Sequence, residues 1–104
     1  MTTLLNTSII TADGNYSLET IILKDAKELV QDGFQSAIGH FATAQIISEL
    51  LEIECPVNRI IYHQKLGEVA VVFKMNGRPP EGKILAREEI ERIGYTWKKL
   101  IRIS

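Results

Sequence analysis

The sequence is poor in the residues from which metal centres and disulfide scaffolds are built. It has one cysteine, Cys55, and two histidines, His40 and His63. A lone cysteine cannot close an intrachain disulfide, and the three residues together fall short of a structural zinc set, so no metal or other cofactor is expected. No stretch approaches the roughly 20 apolar residues that span a bilayer. The opening MTTLLNTSII has neither the basic start nor the apolar run of a secretory signal, so the expected setting is cytoplasmic, with no membrane partner. An excess of one charge is lacking too: 12 basic side chains stand against 13 acidic ones, a net charge of −1. That balance argues against a binder of duplex DNA. With 104 residues, 45% of them hydrophobic, the chain can close one core and no more, giving a single domain over 1–104.

The near-neutral total conceals a division. Up to Cys55 there are 2 basic and 8 acidic residues, and from Pro56 onward 10 basic and 5 acidic. One surface of the fold can therefore be electropositive while the whole stays neutral, and a compact anion is an eligible ligand.

Local patterns predict alternating strands and helices. Thr3–Ile10 and Tyr16–Leu23 are β-rich runs parted by Asp13-Gly14, the pattern of a hairpin. Lys24–Gln31 is built of helix formers, with Gly33 placed to stop it. Ser36 is a suitable N-cap for the longest helix, which Pro56 must end. Arg59–Gln64 and Glu68–Met75 are β-branched runs about Lys65-Leu66-Gly67, a second hairpin pattern. Asn76–Gly82 is a loop by its two prolines and two glycines, Arg87–Arg92 a short helix ended by Gly94, and Tyr95–Ile103 a last strand. The expected class is α/β: about five strands in a mixed sheet flanked by helices.

Two places carry candidate chemistry. His40 falls near the start of the long helix, where free amides and the dipole favour a phosphate, and Gly39 beside it allows close approach. Ser36, Ala37, Thr43 and Ala44 leave room around the ring; a packed, hydrogen-bonded histidine is the plain alternative. The loop Arg78-Pro79-Pro80-Glu81-Gly82-Lys83 sets two cations about a carboxylate on a rigid turn, and an ordinary solvated ion pair fits it as well. Asn6, a polar residue in an apolar run, and Asn58-Arg59, at a presumed strand start, either face a ligand or merely meet water. His63 reads as solvent-facing, Cys55 as a small apolar filler, and Glu88-Glu89-Glu91 as charges suited to a helix start.

Taken together, Ser36-Ala37-Ile38-Gly39-His40 with Ala42-Thr43-Ala44, Pro56-Val57-Asn58-Arg59, Arg78–Lys83 and Glu88–Tyr95 resemble the small ring nucleases first known as anti-CRISPR proteins of archaeal viruses. The resemblance spans nearly the whole chain, and such proteins also occur in bacterial viruses, integrative elements and type III CRISPR loci. It implies a homodimer that binds cyclic tetra-adenylate, the messenger made by type III CRISPR complexes, and linearises it without metal. By the same resemblance His40 matches the catalytic histidine and Glu81 the loop glutamate. Arg59 and Arg78 match ligand-holding positions, and Asn6 a ligand-contacting asparagine. Gly39 and Lys83 join the expected ligand-binding set. Ile9 and Ala42 stand where some members carry hydroxyl groups, a departure that removes contacts there.

The chemistry suits such residues. An RNA phosphodiester carries its own nucleophile, the adjacent 2′-OH, so the protein needs to align it, stabilise the phosphorane and protonate the leaving oxygen. His40 would be the general acid, Glu81 would hold its imidazolium, and Arg78 with the helix amides would stabilise the phosphorane. Two cuts on a twofold axis would yield two linear di-adenylates ending in 2′,3′-cyclic phosphate. The alternatives are a module that binds the cyclic oligonucleotide without hydrolysis, or a small DNA-associated regulator of a mobile element.

Overall fold

All four residues of β1 (Thr2–Leu5) are buried, a pattern that belongs to an interior strand covered on both faces. The computed structural model, which describes residues 2–77 and 86–104, places β1 between two parallel neighbours. After it come β2 (Tyr16–Ile21), α1 (Leu23–Val30), β3 (Phe34–Ser36), α2 (Phe41–Leu51), β4 (Val69–Met75), α3 (Arg87–Ile93) and β5 (Tyr95–Arg102). The strands form one five-stranded mixed sheet in the order β2-β5-β4-β1-β3. β1 runs parallel to β3, with Leu4 opposite Ser36, and to β4, with Leu5 opposite Val72. β5 is antiparallel to both β4 and β2. The domain is therefore α/β, with five strands and three helices among the described residues.

The sheet has two covered faces. On one, Leu4, Val71, Phe73 and Trp97 meet Ala26 and Val30 of α1, Ile47 and Leu50 of α2 and Ile90 of α3. Phe73 and Trp97 are opposite one another on β4 and β5, with ring centroids 4.8 Å apart. Burying a side chain such as Phe73 contributes about 1.5–3 kcal/mol. On the other face, Leu5, Ala70, Val72 and Leu100 are covered by Tyr62.

Several sequence expectations are corrected. The first hairpin does not form: β1 ends at Leu5, and β2 pairs with β5 at the far edge. A strand buried on both faces needs a neighbour on each side, and those neighbours are β3 and β4. Arg59–Gln64 is not a strand. Its alternation is real, since Tyr62 and Gln64 are buried while Ile61 and His63 are exposed, but the segment lies over the sheet instead of pairing in it. The Gln64 amide anchors it by donating to the carbonyls of Glu68 (2.7 Å) and Leu100 (2.9 Å). His63 is therefore outside any strand, exposed, with Nδ1 3.0 Å from the Thr11 hydroxyl. Ser36 is not a helix cap but the last residue of β3; α2 begins five residues later and ends at Leu51, ahead of Pro56.

The helix α1, the helix α3 and the strand β5 form where expected. Gly94 turns α3 into β5 at φ +84°, and a Cβ there would meet the Asn76 amide nitrogen at 2.7 Å. Only glycine combines that conformation with that clearance.

Candidate functional site

Three parallel strands deliver their carboxyl ends to one edge of the sheet. Asn6 follows β1 directly and 37–40 follow β3, so both sequence candidates collect there. From this edge the chain leaves both β1 and β3 toward the β4 side of the sheet, β1 leading to β2 at the far edge and β3 leading through α2 to β4.

A strut from the cationic half fixes the segment after β3. The Ser36 hydroxyl donates to the Pro56 carbonyl at 2.6 Å and accepts the Ile38 amide at 3.3 Å. The Asn58 side-chain amide donates to the Ser36 carbonyl at 2.7 Å, and its backbone N–H to the Ile38 carbonyl at 2.8 Å. Arg59 continues the zipper, its Nε donating to the Gly39 carbonyl at 2.9 Å. Gly39 is required for this approach: a Cβ would lie 2.9 Å from Cγ of Arg59. Cys55 sits beneath, its thiol 3.6 Å from the Ser36 hydroxyl. Burial pushes that thiol up, with the Ser36 contact opposing in part, so it stays a neutral filler as expected.

The zipper leaves His40 as the N-cap residue of α2, with extended backbone (φ −125°, ψ 128°) and its carbonyl accepting the first helical bond from Ala44 at 3.0 Å. Its imidazole is exposed and does not cap the helix. Helix geometry leaves the amides of Phe41, Ala42 and Thr43 without intrahelical acceptors, and no cap side chain takes them. The positive dipole end, the exposed imidazole and the Arg59 guanidinium thus share one place. Among the described residues, the Nη groups of Arg59 have no hydrogen-bond partner. Arg59 was expected at a strand start; it lies instead in the irregular strut, which is what brings it to Gly39.

Asn6 was expected within the first strand and lies just past its end. With Thr7, Ser8, Val72, Lys74 and Lys98 it lines a cavity of about 340 Å³, with no carboxylate among the described residues around it. Neither lysine stood out in the sequence; they reach the same cavity only through the pairing of β4 with β5. A larger cavity, about 570 Å³, lies behind α2 between Phe41 and Val57, but its charged residues are Glu52 and Glu54, unsuited to an anion. Arg78, Glu81 and Lys83 lie outside the described residues. Among those described, no three His, Cys, Asp or Glu side chains converge, and no helix is long and apolar enough to cross a membrane.

Fold and site together define a small open-sheet α/β protein with polar and cationic side chains gathered at the carboxyl edge of its parallel strands. The chain belongs to the STIV B116-like family, which it matches over residues 2–97. It is similar to the YddF protein of Bacillus subtilis (strain 168), 32% identical over 96% of this chain and 95% of that one. It is also similar to ORF117 of Acidianus two-tailed virus, 33% identical over 97% and 92% of the two chains. Protein 26 of Sulfolobus islandicus filamentous virus is 36% identical over 72% of this chain and 65% of its own length. In fold it resembles B116 of Sulfolobus turreted icosahedral virus, with a TM-score of 0.84 over 97% of this chain and 98% of that one at 19% identity.

Proposed function

We propose that the protein is a metal-independent ring nuclease that opens cyclic tetra-adenylate and so switches off type III CRISPR signalling. The observation that carries this reading is the exposed His40 imidazole at the uncapped start of α2, with Arg59 bonded to the preceding carbonyl. The sequence resemblance described above and the viral members of the family support it.

In this mechanism a ribose 2′-oxygen attacks the adjacent phosphorus and the bond to the 5′-oxygen breaks. The 2′-OH proton passes to solvent, and the imidazolium of His40 protonates the departing 5′-oxygen. The nucleophile belongs to the substrate, so alignment, charge stabilisation and one proton are the protein's whole contribution. The amides of Phe41–Thr43 and the Arg59 fork would meet the phosphorane's charge. Glu81 would hold the imidazolium, and Arg78 and Lys83 would meet other phosphates of the ring.

A ring of four equal nucleotides matches a twofold axis, so the working form is a homodimer making two cuts. Exposed Val57, Ile60 and Ile61 flank Arg59 on the strut, and Ile61 is 83% exposed, which supports burial of that strut against a second copy. The test is incubation of labelled cyclic tetra-adenylate with the protein in EDTA. Linear di-adenylates with 2′,3′-cyclic phosphate ends are expected; intact ring recovered from a tight complex would instead favour a sequestering module.

A further inference from the structure

We infer that the open edge of β2 is a docking site for an extended segment of a partner protein, which adds to the sheet as a further strand and carries a cationic side chain two residues from an apolar one. This edge lies across the sheet from β3, the strand that leads to His40, so its use does not depend on the ring-nuclease reading.

Among the described residues β2 is paired on one side only, by β5. Just ahead of it, the Asn15 carbonyl accepts the Ile103 N–H at 2.7 Å, in register with the ladder that follows. Antiparallel pairs alternate, so Ser17, Glu19 and Ile21 also turn their backbone groups to β5, while those of Leu18 and Thr20 face outward. Such an edge is a template for another strand unless proline or a bulge blunts it. Tyr16–Ile21 contains no proline and keeps an unbroken register with β5. Leu18 is 48% and Ile22 64% exposed, so apolar side chains stand in water at both ends of the outward-facing stretch.

Two cavities along the helix-covered side of β2 define what the partner carries. They adjoin, with Thr20 and Ile21 in the walls of both. One, about 450 Å³, lies between β2 and α1 and sets Glu19, Asp25 and Glu28 around Lys99, which already pairs with Glu19 at 2.9 Å. The other, about 270 Å³, is walled by Ile21, Leu23, Tyr95 and Trp97. Side chains two apart on an added strand point to one face about 6.6 Å from each other, so adjoining cavities take alternate residues. Lys or Arg suits the first and an aliphatic side chain the second. Main-chain bonds to Leu18 and Thr20 then supply affinity, and the two cavities select the partner. A second copy fits poorly: β2 against β2 on a twofold axis brings both sets of Glu19, Asp25 and Glu28 together on one face, where like charges repel.

The test is amide NMR of the full chain during titration with a synthetic peptide, acetyl-Thr-Lys-Thr-Leu-Thr-Lys-Thr-amide, whose symmetric pattern fits either strand direction. Shifts gathered at 16–22 and 95–99 are expected. The amides of Leu18 and Thr20, open to solvent exchange in the free protein, should become protected in the complex. Thr20→Pro removes an outward N–H without touching the ladder to β5, a place where an edge strand tolerates proline, and should lower affinity at least about tenfold, while Thr20→Val keeps it. Glu19→Gln/Glu28→Gln leaves the backbone intact and should weaken binding about fivefold, and so should a peptide with glutamate in place of both lysines. Urea denaturation checks that each variant is folded; should Thr20→Pro not be, the glutamine variant and the glutamate peptide carry the test. No binding by wild type, shifts gathered elsewhere, or equal affinity for the lysine and glutamate peptides would overturn the proposal. Protection of Leu18 and Thr20 that grows with protein concentration in the absence of peptide would assign the edge to a second copy and overturn it too.

Discussion

The side-chain Nε of Arg59 donates to the carbonyl of Gly39 at 2.9 Å, one residue before His40. That contact ties the cationic half of the chain to the acidic half at the start of α2. It also constrains Gly39, where a Cβ would lie 2.9 Å from Cγ of Arg59. In Gly39→Ala the exposed arginine can swing away, so stability should fall by only about 1 kcal/mol, the worth of one hydrogen bond. Cleavage of cyclic tetra-adenylate should fall at least about tenfold, because the guanidinium leaves the site. Thermal unfolding and single-turnover cleavage, run side by side, check the split; unchanged cleavage would mean that Arg59 does not act there.

Asn58 is a different case, since its role is to hold the strut. Asn58→Ala removes the donor to the Ser36 carbonyl at 2.7 Å in a part-buried setting, and should cost about 1–3 kcal/mol. Ser36→Ala breaks the neighbouring bond to the Pro56 carbonyl. Because both act on one zipper, urea denaturation of the double variant should show a loss different from the sum of the single losses, by about 0.5 kcal/mol or more. Additive losses would show the two bonds to be independent.

What was legible in the sequence follows from how local each signal is. The helix α1, the helix α3 with its Gly94 stop, and β5 are set by composition within a few residues, and they appear where expected. Strand partners are not local: Asp13-Gly14 looks like a hairpin turn, but the burial of Thr2–Leu5 on both faces pulls β1 between β3 and β4. The alternation of Arg59–Gln64 correctly turns Tyr62 and Gln64 inward, while the hydrogen bonds go to the strut's own anchors instead of a ladder. In the site, Arg59 stood out only through the family resemblance, and its bond to Gly39 depends on the irregular path of the strut. Ser36 was misplaced as a cap because a serine ahead of a helix has the same composition whether its hydroxyl meets an amide of that helix or, as here, Pro56. Lys74 and Lys98 were invisible because only the β4–β5 register joins them.

Stability should fall on the alkaline side. Burial pushes both the Cys55 thiol and the Tyr62 phenol up, with the Ser36 hydroxyl opposing in part at the first and the Thr3 hydroxyl at the second. These groups keep their protons in the folded state after the unfolded chain has lost them, so the unfolded state binds fewer protons and stability decreases as pH rises. The contribution is complete below the ordinary titration ranges of thiol and phenol and is lost as pH climbs from there toward the raised folded values. Cys55→Ala and Tyr62→Phe should each flatten the alkaline limb of a stability–pH curve. A limb of the same slope in both variants would contradict this origin.

The role of His40 is measured directly by single-turnover cleavage of labelled cyclic tetra-adenylate in EDTA by wild type and by His40→Ala. Because His40 contributes no capping bond, the variant should fold as wild type does. Wild type is predicted to yield linear di-adenylates, and the variant to be slower by about 10²–10⁴, the usual contribution of a positioned acid, while still binding the ring. Cleavage by His40→Ala at the wild-type rate, or no cleavage by wild type, would contradict the account.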